Sequence, residues 1–269
     1  MTISLINKGD SCPCGDRPLK QRAAFRSGEV DFKRCLHCGL LARDPLPTIA
    51  ELNAIYAKAF SSDRISGGST DQESGSFAAA SYADQLAALA GSGEVLDYGA
   101  ASGELVEVLR ERGVECDGLE LSEEARAFCY AKRGFALFGS IRDLPRDKYD
   151  TLAMIEVIEH LVDPLATLRE VRAVLKSNGS VLITTPNRAS IRARIQSGNW
   201  REAKKKFHLY LFHERSLRQL VSAAGFSEIR VLRFPPLQRP GIVFWFFARF
   251  QQAVGFPGTL AITAKNLAK

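Results

Sequence analysis

Glu156-Val-Ile-Glu159-His160 brings two carboxylates and an imidazole together in a short stretch. On helical geometry, side chains at i, i+3 and i+4 share a face, so Glu156, Glu159 and His160 would suit a divalent cation. His160 alone is also a candidate general base, because an unperturbed imidazole titrates near neutral pH. The bland reading is a histidine that only caps or packs. A second group of chemistry-bearing residues lies near the N-terminus. Cys35-Leu-His-Cys38-Gly39 is a C-x-x-C knuckle followed by glycine, and Cys12-Pro-Cys14-Gly15 is a tighter pair upstream. Four thiolates from Cys12, Cys14, Cys35 and Cys38 around one tetrahedral zinc can stabilise a segment too short to build its own core. The C-x-C spacing departs from the usual knuckle, and His37 offers a substitute ligand.

A third pattern reads as a ligand cradle. Asp97-x-Gly99-x-x-x-Gly103 follows the apolar run Val95-Leu96 and precedes ELVEVLRER, which has helical periodicity. Strand, glycine-marked turn and helix in that order place a ligand at the carboxyl end of a strand. A dinucleotide turn needs Gly-x-Gly-x-x-Gly so that the backbone can approach a pyrophosphate. Here Ala101 and Glu104 occupy the second and third glycine positions. A methyl group and a carboxylate stand where a pyrophosphate would go, whereas Asp97 suits a ligand with an ammonium group and a sulfonium. Glu120 ends the next apolar stretch, VECDGLEL, and a carboxylate there can accept from both hydroxyls of a ribose.

The elements that must hold these groups alternate along the chain. Strands are expected at Val114 to Leu121, Ala136 to Phe138, Tyr149 to Ile155 and Ser180 to Thr184, with helices over Phe77 to Ala90, Glu104 to Arg112, Glu123 to Arg133 and Pro164 to Leu175. A helix from Glu214 and strands over Ser227 to Phe234 and Thr259 to Ala264 would close the sheet. Such alternation implies parallel βαβ units. The chain divides into a zinc-ribbon-like unit (1–48), a short helix and flexible linker (49–76) and the main α/β domain (77–269). The linker is clearest in SSDRISGGSTDQESGS, which would order over the site when ligands bind. Gly241 to Phe250, aromatic nearly all round, is too short to span a bilayer. It reads as core or lid, with peripheral membrane contact as the other reading.

At 269 residues and 46% hydrophobic, the chain can bury a sizeable core. Its net charge of +6 is mild, and the basic residues gather between Arg188 and Lys206, so a local anionic contact is expected, with a solvated loop as the alternative. The N-terminal residues lack a signal-peptide core and no run reaches membrane-spanning length, so the cytoplasm is the expected location. In a reducing compartment the cysteine cluster points to metal, not disulfides.

EVLDYGAASG, GLELS, YDTLAMIEVIEHLVDP, GSVLITTPN and FHLYLFHERSLRQLVSAAGF, taken together, resemble the class I S-adenosylmethionine-dependent methyltransferases of the ubiquinone-biosynthesis-like group. The N-terminal cysteines with CGLLARDPLPT are similar to the zinc-ribbon leader on a subset of them. The resemblance implies a Rossmann-like, seven-stranded methyltransferase sheet. It implies that Asp97, Gly99, Ala100, Ala101 and Gly103 hold the methionine end of the cofactor, that Glu120 and Leu121 hold the ribose, that Ser140 and Ile141 hold the adenine, and that Ile155 and Glu156 border it. Many relatives have aspartate at the Ser140 position, which implies a differently made adenine contact here. The E-x-x-E-H pattern resembles a metal site that holds vicinal hydroxyls in quinone O-methyltransferases and small-RNA 2′-O-methyltransferases. Trp200 and His208 fall where this family builds its acceptor pocket, and Lys204 to Lys206 would meet a phosphate on the acceptor.

Three functions compete on the sequence: O-methylation of a sugar or secondary-metabolite intermediate, 2′-O-methylation of RNA, and a non-catalytic cofactor-binding interaction module. The modest charge and the lack of a recognisable RNA-binding module weigh against nucleic acid. Trp200 has a plain alternative as a packing anchor.

Overall fold

The computed structural model describes residues 12, 21–48, 50–52, 54, 70–232 and 258–267. Two sheets organise these residues. The smaller contains β1 (Gln21–Ser27), β2 (Val30–Cys35) and β3 (Leu41–Asp44), all antiparallel. After α1 (Thr70–Ala90) the larger sheet is built from β4 (Val95–Tyr98), α2 (Glu104–Glu111), β5 (Cys116–Leu119), α3 (Glu123–Arg133), β6 (Tyr149–Ile155), α4 (Pro164–Val174) and β7 (Leu175–Pro186). Then follow α5 (Ile191–Gln196), α6 (Arg201–Lys204), β8 (Tyr210–Leu211), α7 (Glu214–Ala223), β9 (Ser227–Leu232) and β10 (Thr259–Lys265).

The larger sheet has the order β5-β4-β6-β7-β10-β9, with β5, β4, β6 and β7 parallel and β10 antiparallel to both neighbours. β4 and the centre of β6 are buried, as strands covered on both faces must be, which explains their continuous apolar runs. The expected third strand is reduced to one parallel bridge, Leu119 to Phe138, held by Phe138 N donating to Gly118 O (2.8 Å) and Glu120 N donating to Phe138 O (2.9 Å). That bridge adds a seventh position at the β5 edge of the sheet.

Local chemistry sets the helix ends. Ser122 Oγ accepts from Ala125 N (3.2 Å) at the start of α3, and Gly134 closes that helix in the left-handed region. Asp163 Oδ1 accepts from Ala166 N (3.0 Å) and Pro164 opens α4. Two boundaries differ from the periodicity reading. α1 begins at Thr70, so its first turns take residues assigned to the linker. β7 begins at Leu175, where pairing with Tyr149 overrides the helical pattern.

The N-terminal sheet does not stand apart. β8 adds to β3 with Leu41 opposite Leu211 and Ala42 opposite Tyr210. The cluster beneath it joins Phe32 and Leu41 to Ala193, Trp200, Ala203 and Leu211, so one core is shared by both parts of the chain. The aromatic run 241–250 and Cys14 lie outside the described residues.

Candidate active site

The turn after β4 is built on glycine. Gly99 has φ +88, and a Cβ there would lie 2.5 Å from Val157 Cγ2. Gly103 has φ +78 and directly precedes α2, and its Cβ would lie 2.5 Å from Cys129 Sγ. Both positions need a residue without a side chain. Ala101 also sits at positive φ (47°), and its amide donates to Glu120 Oε2 (2.9 Å). Glu120 Oε1 accepts from Ser122 N (2.8 Å), so one carboxylate ties together the turns after β4 and β5. Asp97 is 3% exposed, and burial, together with the charge of Glu120, pushes its carboxyl up to about 7. Two neighbouring carboxylates with no cation between them fit a ligand carrying positive charge. Ala100 is buried and Leu121 exposed. Ser140 caps a 3-10 turn over Ile141–Asp143, with Ile141 packed on the main core. Ile155 ends β6 and packs beside the glycine turn's own core.

A second group of chemistry-bearing side chains forms at the end of β6. Glu156 is not helical as the spacing suggested: it has φ +56, and the chain then turns through a 3-10 segment, Ile158–His160. The groups that converge are therefore Glu159, His160 and His208, whose ligand atoms lie within 4.8 Å of one another. Glu156 Oε1 accepts instead from Thr184 Oγ1 (3.3 Å). Glu159 is 1% exposed; its Oε2 accepts from Thr185 Oγ1 (2.9 Å), while Oε1 is buried without a hydrogen-bond partner. Nδ1 of His160 lies 2.9 Å from Phe207 O, and the backbone carbonyl of Glu156 also acts on the ring. Nε2 is 3.8 Å from Glu159 Oε1. The His208 ring meets His160 edge-on at 4.8 Å between centroids, and its Nδ1 is buried without a partner.

Electrostatics in this cluster run one way. Burial, then the charge of Glu202, raises Glu156 to about 7. Burial, then the charge of Glu156, raises Glu159 well above the carboxylate range. Burial lowers His160, and burial with the nearby His160 lowers His208 to about 2. Neutral imidazoles and frustrated carboxylates in one buried place form a donor set that suits a divalent cation.

Several other residues fall into place. His208 arrives on the segment leading into β8, where Leu209 N donates to Glu159 O (2.9 Å) and Leu209 O accepts from Arg43 N (2.9 Å). Trp200 is 6% exposed and packs in the core under the N-terminal sheet with Phe32, Leu41 and Leu211. Part of the basic segment is engaged internally: Arg188 Nη2 donates to Gly39 O (2.6 Å), and Lys205 and Arg201 pair with the buried Glu202. Cys12, Cys35 and Cys38 are buried together, with Cys12 Sγ 3.5 Å from Cys38 Sγ and Leu40 N donating to Cys38 Sγ (3.4 Å). Sequence reasoning missed Tyr82 of α1, a buried phenol held neutral by burial and by the charges of Glu156 and Glu159. Its only signal was a tyrosine in an alanine-rich helix.

A methyltransferase-domain family model matches residues 74–231, more than half of the chain. The chain belongs to the class I S-adenosylmethionine-dependent methyltransferases. The ubiquinone biosynthesis O-methyltransferase of Nitrosospira multiformis is 32% identical over 118 residues, covering 40% of this chain and 48% of that protein. That of Pseudomonas aeruginosa is 28% identical over 118 residues, covering 40% and 50%. The chain thus spans about half the length of the curated relatives it matches. The Burkholderia thailandensis 1,6-didemethyltoxoflavin-N1-methyltransferase shares the fold over 92% of this chain and 100% of its own, with TM-score 0.58 and 18% identity. A methyltransferase from Archaeoglobus fulgidus does so over 79% and 99%, with TM-score 0.54 and 19% identity.

Proposed function

We propose that the protein transfers the methyl group of S-adenosylmethionine to a hydroxyl of a small molecule, a sugar or secondary-metabolite intermediate with vicinal oxygens. The observation that carries this is the cluster of buried Glu159 and His208 with half-buried His160 beside the cofactor turn. Asp97, Gly99, Ala100, Ala101, Gly103 and Glu120 would hold the cofactor, which supplies an electrophilic methyl group for in-line displacement. Leu121, Ser140, Ile141 and Ile155 would line its ribose and adenine end. Glu159, His160 and His208 would hold a divalent cation, with Glu156 completing the charge balance. Bound there, the cation would lower the pKa of an acceptor hydroxyl, so no strong base is needed. His160 then acts as a ligand. The names of the ubiquinone-biosynthesis relatives support an oxygen acceptor. Internal pairing of Arg188, Arg201 and Lys205 weakens the case for an RNA backbone.

Cys12, Cys35 and Cys38, with Cys14 as the fourth candidate, would hold a structural zinc in the unit 1–48. The 3.5 Å between Cys12 and Cys38 sulfurs is close to the edge of a zinc–thiolate tetrahedron.

Calorimetric titration with S-adenosylhomocysteine and, separately, NAD tests the cofactor site, with Asp97→Ala as control. Binding of the former alone, lost in the variant, is expected; binding of neither by folded protein would overturn the enzyme reading. Methylation of catechol-like and sugar acceptors, stopped by EDTA and restored by Mg²⁺ or Mn²⁺, tests the acceptor side.

A further inference from the structure

Arg188 follows β7 immediately after Asn187, its amide donates to Phe212 O (2.9 Å), and its Nη2 donates to Gly39 O in the C-x-x-C knuckle. Its Nε is sealed from solvent with no hydrogen-bond partner. A half-buried guanidinium that satisfies one edge on a neutral carbonyl and keeps Nε sealed and bare is short of an anion. Burial and the charge of Arg34 both oppose this guanidinium, and the thiol cluster offers the opposite sign: Cys38 acts on both Arg188 and His213, and the His213 ring lies 3.2 Å from the position of a Gly39 Cβ. Three or four thiolates around a divalent metal carry net negative charge, whereas the protonated thiols carry none. Arg215 adds only an exposed bond, Nη2 to His37 O (3.0 Å).

We infer that Arg188 is the counter-ion of a thiolate–metal centre at Cys12, Cys35 and Cys38, so that metal in the N-terminal unit fixes the turn after β7 at the edge of the acceptor site. This rests on the zinc reading above. The guanidinium lies outside the metal's ligands and acts by neutralising the centre they form. In return, the anionic centre holds Arg188, and through Arg188 N and Phe212 O it pins the chain just beyond β8. β8 pairs with β3, so the two attachments follow one another directly after the segment that delivers His208.

The test uses Co²⁺ on the full chain, whose thiolate charge-transfer absorption reports the cysteine site and not the oxygen- and nitrogen-rich one. Wild type, Arg188→Gln and Arg188→Lys are compared, with S-adenosylhomocysteine binding as the check on folding. Glutamine can still donate to Gly39 O but has no charge; lysine keeps the charge. Loss of an outer partner of this kind typically costs 10- to 100-fold in metal affinity. The expected result is that loss in Arg188→Gln, with Arg188→Lys within a few-fold of wild type. Equal affinity in all three would overturn the inference and leave the zinc reading intact. No thiolate band in wild type would overturn both. Hydrogen exchange in peptides covering 187–190 is expected to rise when metal is stripped from wild type; unchanged exchange would overturn the link to the turn.

Discussion

Replacing Glu159 by glutamine should stabilise the cation-free protein while abolishing its response to cations. Glu159 is buried, Thr185 Oγ1 donates to one of its oxygens, and the other has no hydrogen-bond partner. Glutamine keeps the shape and can accept the threonine bond, but it removes a charge that burial and the charge of Glu156 oppose more strongly than Lys205 favours it. The sign follows from linkage. Glu156 and Glu159 have folded pKa values raised by burial and by neighbouring charge, so the folded state retains protons that the unfolded chain gives up near pH 4 to 5. Their contribution to stability is full in acid and is lost as pH rises to neutrality. For Glu156, moving from 4.5 to about 7 corresponds to about 3 kcal/mol lost over that window. At pH 8 Glu159→Gln should recover roughly 1–3 kcal/mol, or several degrees in Tm for a chain of this size. Wild type should instead gain about 2.7 kcal/mol from Mn²⁺ at a hundred times its Kd. Mn²⁺ is the probe because it prefers oxygen and imidazole to thiolate. Below pH 7 the cation must displace protons from both carboxylates, so affinity should fall by up to about a hundredfold per pH unit. The histidines, already neutral, add little to that slope. Scanning calorimetry at pH 6 and pH 8, with and without Mn²⁺, reads all of this. A lower Tm for cation-free Glu159→Gln at pH 8, or an undiminished Mn²⁺ response in it, would refute the reasoning.

Gly103→Ala should lose about 2–4 kcal/mol of stability and bind S-adenosylhomocysteine at least about tenfold more weakly, because φ +78 and a 2.5 Å approach to Cys129 both oppose a Cβ; urea unfolding and calorimetry check it, and wild-type binding would show that the turn relaxes freely. Trp200→Ala should cost about 3–5 kcal/mol by urea unfolding, from the loss of a buried indole between the two parts of the chain. Unchanged stability with a raised acceptor KM would instead return Trp200 to the acceptor pocket.

The parallel core was legible because its signals are local. Val95 to Tyr98 and Tyr149 to Ile155 are short apolar runs bounded by turn chemistry, and the structure places them at β4 and β6 as read. The same locality explains what was hidden. β8 is two residues long and exists only because β3 pairs with it, so nothing in Tyr210-Leu211 announces a strand. Arg188 sits in a basic stretch that invites a surface reading, and only the folded contact with Gly39 shows where its guanidinium goes. The helical face assumed for Glu156, Glu159 and His160 failed because the end of β6 turns through positive φ before any helix can start. His208 was placed near the acceptor by resemblance, yet its meeting with His160 depends on Leu209 N donating to Glu159 O and on Phe207 O meeting His160 Nδ1, contacts between two segments far apart in sequence.

The position of the cluster relative to the cofactor turn follows from one missing methyl group. β4 and β6 are parallel neighbours, so their carboxyl ends emerge together, β4 into the Gly99 turn and β6 into Glu156-Val157. Val157 approaches Gly99 so closely that any Cβ would lie 2.5 Å from its Cγ2. That contact forces the chain after β6 to lie against the cofactor turn. With Val157 fixed there, Ile158 turns into the core and Glu159 and His160 can only be presented on the side where the segment 206–211 passes. The glycine that the sequence offers as part of a cofactor cradle therefore also sets where the acceptor-side carboxylate and imidazole stand, and it keeps the two halves of the proposed reaction next to each other.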